Sequence, residues 1–284
     1  MPRFHRLTAL LLGTGVLLSS AAQADFRMFP SSNLYPGYVA DPRRPGFGVA
    51  VLGFPDPQIP DSGDRRVGLK LGGRFGLVRI HPAGDPESGW QVDIEAGFTG
   101  QFDIEHSLDN IGWDGTYGFL LSSSLSDRLS VQVGSKHISS HVGDEYAERT
   151  GRRRIGYTRE EVVAGAAWLI ANLGSNRWRT YGELGWGFKT KDEIGQERGR
   201  LQLGLEHEAP GSLSSRLGWY AALDLGAFEE RNWQVDPTLQ LGLLVPAGDR
   251  RWRVGIEVHD GSVPIGEFYR VDETWLTLGL WLAP

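Results

Sequence analysis

The chain has 284 residues, a formal charge of −6 and no cysteine, so it holds itself together without disulfides and lacks the basic surface of a nucleic-acid binder. Past its first residues, no segment has the run of about 20 apolar residues that a membrane-crossing helix needs. Its 39 glycines and 10 tryptophans accompany a hydrophobic share of only 40%, a composition suited to strands with one apolar and one polar side.

Residues 1–24 are laid out as a secretory signal peptide. Arg3 and Arg6 open it, an apolar run covers residues 7–18, and Ala22-Gln23-Ala24 supplies the small-residue cleavage site. The mature chain is expected to begin near Asp25. Residues 25–43 are rich in proline and turn formers and read as an irregular N-terminal segment, either a periplasmic tail or a plug.

From residue 44 to 284, period-2 alternation recurs in segment after segment. In 90–103, Trp90, Val92, Ile94, Ala96 and Phe98 share one face, while Gln91, Asp93 and Glu95 share the other. Residues 177–189 repeat the design with Trp178, Leu184, Trp186 and Phe188 against Arg179, Tyr181 and Glu183. Strands are expected near 44–54, 66–80, 89–103, 112–124, 128–142, 155–171, 177–189, 198–209, 215–229, 232–245, 250–262 and 270–282. The alternation, the short turns at every second connection and the tryptophans near strand ends together predict an all-β fold. The expected form is a closed antiparallel transmembrane β-barrel of about twelve strands in an outer membrane. No helical segment of useful length is expected.

Several stretches resemble an uncharacterised bacterial family of predicted outer-membrane barrels, domain of unknown function twelve-oh-seven. They include Leu34-Tyr35-Pro36-Gly37-Tyr38, Gly73-Arg74-Phe75-Gly76-Leu77, Ser139-Ser140-His141-Val142-Gly143-Asp144-Glu145-Tyr146, Tyr157-Thr158-Arg159-Glu160 and His259-Asp260-Gly261. The resemblance implies a barrel, an outer-membrane address and no particular activity. Outer-membrane lipids, lipopolysaccharide and the barrel assembly machinery are the partners such a protein would meet, and nucleic acid is not among them. One departure is the ending Trp281-Leu282-Ala283-Pro284, where many barrels finish on an aromatic residue.

One constellation carries chemistry. His137-Ile138-Ser139 places a histidine and a serine two apart, and on a strand such residues share a face. A base beside a hydroxyl is what nucleophilic acyl transfer needs. The spacing is similar to the active strands of outer-membrane phospholipase A and of lipid A deacylases. Glu160 falls opposite His137 if the chain turns through 143–154, and could orient the imidazole as the third member of a triad. Asp144 and Glu145 in that connection are candidate Ca²⁺ ligands under this reading only, since Ca²⁺ prefers carboxylate oxygen. No other cofactor is expected. The four-residue spacing of His137 and His141 does not make a compact zinc pair on a strand.

A competing reading turns on Gly134. A bulge there would shift parity by one and send His137, Ser139 and His141 into the lumen, to join Arg159 and Glu161 in a structural network. Asp93, Glu95, Arg179, Glu183, Asp224, Arg253 and Glu257 are expected to line that lumen, as a pore or as a salt-bridged filling. Arg152-Arg153-Arg154 reads as a solvated run or a contact for lipopolysaccharide phosphates. Two functions follow: a structural or weakly conducting barrel, or a lipid-directed acyl hydrolase with Ser139 as nucleophile, His137 as base and Glu160 as orienter.

Overall fold

The computed structural model describes residues 24–174, 176–214, 216–248 and 250–282. The expected signal peptide lies outside them except for Ala24. The strands are β1 (Ala24–Met28), β2 (Gly48–Gly53), β3 (Arg65–Pro82), β4 (Gly89–Asp103), β5 (Asp109–Ser124), β6 (Leu129–Val142), β7 (Thr158–Leu173), β8 (Asn176–Lys189), β9 (Gly199–Ser214), β10 (Leu217–Phe228), β11 (Val235–Ala247), β12 (Arg250–Ser262) and β13 (Asp272–Leu282). From β2 onward each pairs antiparallel with its neighbours in chain order, and β13 returns to β2 with Leu278 opposite Val51. The twelve strands β2 to β13 therefore form a closed antiparallel barrel.

Its polarity is inverted relative to a soluble protein. Val162, Leu184, Leu203, Ile256 and Leu278 are exposed on the outside, whereas Asp93, Glu95, Glu183, Asp224 and Arg253 are buried within. Alternation on strands of 11 to 18 residues, β2 excepted, sorts the two classes onto opposite faces, with the apolar one outward.

Several expectations need correction. Residues 24–28 are not irregular: they form β1, which pairs with β3 from Pro82 to Val78, below the stretch of β3 that short β2 covers. The first barrel strand starts at Gly48 rather than residue 44, because Pro42 and Pro45 cannot donate to a ladder. The turn expected near 210–213 is part of β9, which runs on to Ser214. Among the described residues one short α-helix occurs, α1 (Asp144–Thr150), closed by Gly151 in the left-handed region at φ 71°. Gly134 makes no bulge. The β5–β6 and β6–β7 registers pass through it unbroken, and a Cβ there would lie 2.2 Å from the Phe119 carbonyl oxygen. The glycine is there because two backbones approach closely.

Residues 34–45 run through the interior and fill part of it, beside a cavity lined by Arg43, Arg44, Lys136, Glu161 and Arg200. Tyr38 stacks on Tyr181 at 3.9 Å and donates to Glu183 at 3.1 Å, while the Val39 amide donates to Glu206 at 2.7 Å. The wall charges pair among themselves as well: Arg74 with Asp93 at 2.6 Å, and Arg200 with Glu183 at 2.6 Å and Glu161 at 2.9 Å. At the α1 end the connections make a cap. Tyr146 packs with Ile59, Ile111, Val142, Val263, Ile265 and Phe268. Beside it Arg66 and Glu273 form a fully buried pair at 2.6 Å.

Candidate functional site

Three adjacent strands build a polar patch on the outer wall. In the β5–β6 ladder, Tyr117 faces His137, Gly115 faces Ser139 and Trp113 faces His141. In the β6–β7 ladder, Glu160 faces His137 and Thr158 faces Ser139. Buried Gln132, Ser140 and Val142 mark the inward parity of β6, so His137, Ser139 and His141 point outward with exposed Val133. Glu160 likewise shares the outward parity of Val162 and Trp168. The lumen-lining alternative for these residues is thus overturned by the intact register at Gly134.

The expected His137–Glu160 contact is present. Glu160 Oε1 lies 2.8 Å from His137 Nδ1, and both side chains are partly exposed. The imidazole plane is fixed from the other side by Tyr117, stacked at 4.6 Å. Among the described residues, His137 Nε2 has no hydrogen-bond partner. Ser139 lies on the same face, yet its hydroxyl meets His141 Nε2 at 3.1 Å rather than His137. Gly115, directly across the ladder, has no side chain of its own, and the Trp113 ring covers that position, 3.3 Å from where a Cβ would lie.

His141 and Arg154 are the residues that reasoning from the sequence missed. His141 stacks on Trp113 at 4.3 Å, and Trp113 on Phe98 at 5.5 Å. Its Nδ1 accepts from the Arg154 guanidinium. The H-x-S-x-H parity signalled His141, but nothing local signals Arg154. That side chain is placed by its connection: Tyr146 anchors α1 in the cap, and the Glu267 carboxylate accepts from the amides of Ile155 at 2.8 Å, Gly156 at 2.6 Å and Tyr157 at 3.3 Å. Within the arginine run, Arg152 donates to the Glu267 carbonyl and lies over Phe268, so only Arg153 is left as a plain solvated charge.

Asp144 and Glu145 stand exposed in the first turn of α1. Among the described residues no three His, Cys, Asp or Glu side chains gather in a way that could hold a metal ion. With its own groups the arrangement at β5–β7 can pass a proton between a hydroxyl and an oriented imidazole, beside a second imidazole held by a cation.

A closed twelve-strand barrel with an apolar outside, a partly filled inside and a polar patch on its wall defines an outer-membrane-type barrel. The family model described as protein of unknown function (DUF1207) matches residues 13–282, and the chain belongs to that family. No curated protein matches the sequence. Among solved structures, the outer membrane phospholipase dimer of Salmonella typhi with bound calcium is similar at TM-score 0.56 and 12% identity, covering 90% of this chain and 94% of that one. Outer membrane phospholipase A from Escherichia coli is similar at TM-score 0.55 and 11% identity, with 87% and 93% covered. LpxR from Salmonella typhimurium is a looser match, at TM-score 0.44 and 8% identity over 84% of this chain and 99% of that one.

Proposed function

We propose that this protein is a lipid-directed acyl hydrolase of the outer membrane, exported behind a cleaved signal peptide, with Ser139 as nucleophile, His137 as general base and Glu160 as the group that orients the base. The observation that carries the reading is the His137–Glu160 pair on the outward face, two residues from Ser139. Ionised and hydrogen-bonding side chains on a wall that contacts lipid are costly and call for a function. With Glu160 accepting at Nδ1, the neutral ring of His137 presents Nε2 as an acceptor, the form a base needs. The fold likeness to a phospholipase supports the substrate class, an ester of a membrane lipid. Exposed Asp144 and Glu145 are assigned no part in this reading.

One observation favours a purely structural patch: the Ser139 hydroxyl is bonded to His141. In the hydrolase, that hydroxyl must turn its proton toward His137 when substrate arrives. Fatty-acid release from phospholipid in mixed micelles by the purified full chain separates the two readings. The hydrolase predicts release by wild type and loss in Ser139→Ala. Equal release by both, or none by wild type, returns the patch to a structural role.

A further inference from the structure

We propose that His141, held by Arg154, is the donor that stabilises the oxyanion formed at Ser139; this rests on the hydrolase reading above. The two histidines flanking Ser139 have opposite partners at Nδ1. At His137 the partner is a carboxylate oxygen 2.8 Å away, and a carboxylate oxygen accepts. The proton is therefore on Nδ1, and Nε2 is a base. At His141 the partner is a guanidinium, which can only donate. Its Nδ1 accepts, so the neutral ring carries its proton on Nε2, the atom 3.1 Å from Ser139 Oγ. A ring in that tautomer cannot take the serine proton. It can only give a hydrogen bond at the place where negative charge develops.

The neighbours hold both rings in these roles. Tyr117 and Trp113 stack on His137 and His141 respectively, with Gly115 between them on β5, opposite Ser139. The serine thus stands between a fixed acceptor on one side and a fixed donor on the other.

The reaction balances with these groups alone. As Ser139 Oγ bonds to the ester carbonyl carbon, its proton passes to His137 Nε2, and the carbonyl π pair moves onto oxygen. That oxygen is attached to the same carbon as Oγ, so the Nε2–H of His141 transfers its hydrogen bond by one short shift. Such a donor, placed in advance, is worth most in a water-poor site. When the pair returns, the bond to the alcohol oxygen breaks and the leaving alkoxide takes the proton from His137. Water then repeats the steps and frees the acid, and Ser139 regains its proton.

The test uses the full chain in detergent micelles. Imidazole ¹⁵N shifts should show His137 as the Nδ1–H tautomer and His141 as the Nε2–H tautomer. Arg154→Lys, which still only donates, should preserve the His141 form, and Arg154→Ala should release it. In ester hydrolysis, His141→Gln should stay within about tenfold of wild type because its amide still donates. His137→Gln should lose about 10²–10⁴-fold because an amide is no base, and His141→Ala about 10²–10³-fold. Finding His141 as Nδ1–H, or His141→Ala as active as wild type, overturns the donor role while leaving the hydrolase standing. A wild-type protein that hydrolyses no ester overturns the hydrolase and this role with it, whichever tautomers the rings hold.

Discussion

Arg44, in the segment that enters the barrel, lies 3.1 Å from Glu95 on its wall. The pair ties the filling to β4, and Lys136 stands 3.7 Å from the same carboxylate. Because Glu95 keeps that second partner, Arg44→Met should lower stability by about 1–3 kcal/mol, less than the loss of a sole partner would cost. Denaturant unfolding in detergent measures it. With residues 34–45 across the lumen, the wild-type chain in a planar bilayer should show no steady open-pore current. A sustained conducting state would contradict a lumen blocked by this segment.

Gly134 is predicted to be intolerant of any side chain. A Cβ would lie 2.2 Å from the Phe119 carbonyl oxygen and 2.7 Å from Leu120 Cδ2. Gly134→Ala should cost about 1–3 kcal/mol through forced backbone movement. Gly174→Ala is the control for folding yield, since no atom lies near its Cβ position, although its φ of 62° adds strain of its own. Heat-modifiability of the barrel on gels would report both.

Glu267 is predicted to govern the connection that carries Arg154. Removing its carboxylate strands the amides of residues 155–157. Each unsatisfied buried donor costs about 1–3 kcal/mol. Glu267→Ala should therefore leave the barrel intact but expose the peptide bond after Arg153 to trypsin. Cleavage no faster than in wild type would show that the connection is held by other means.

Glu230 gives the cap a pH dependence. Burial raises its pKa above the ordinary 4.5, against the opposing pull of Arg159 and of the Tyr157 hydroxyl that donates to it at 2.9 Å. A carboxyl with a raised folded pKa favours the fold when protonated. Its contribution is fully present below pH 4.5 and is lost as pH rises through the higher folded value. Glu230→Gln should flatten that part of the stability–pH curve above pH 4.5, and an unchanged slope would count against it.

The barrel was legible in the sequence because a period of two, sustained over strands as long as β4 or β8, has only one inside and one outside. The parity of β6 and β7 put His137, Ser139 and Glu160 on one face for the same reason, and the His137–Glu160 pairing followed from the hairpin register. Gly134 was ambiguous because a strand glycine serves a bulge and a close approach equally well, and only Phe119 and Leu120 across the ladder distinguish them. Arg154 was not legible at all. Its position depends on Glu267, which reaches it from the connection between β12 and β13, and no local pattern records such a contact. The entry of residues 34–45 into the lumen was only half legible, since Tyr35 and Tyr38 look alike in a tail and in a lumen.

The nucleophilic role of Ser139 is tested most directly by a long-chain sulfonyl fluoride applied to the full chain in detergent, with the adduct located by peptide mass spectrometry. The hydrolase predicts a stoichiometric sulfonyl ester on Ser139, absent from Ser139→Ala and strongly slowed in His137→Gln. No adduct on Ser139, or one that forms equally well without His137, would contradict it.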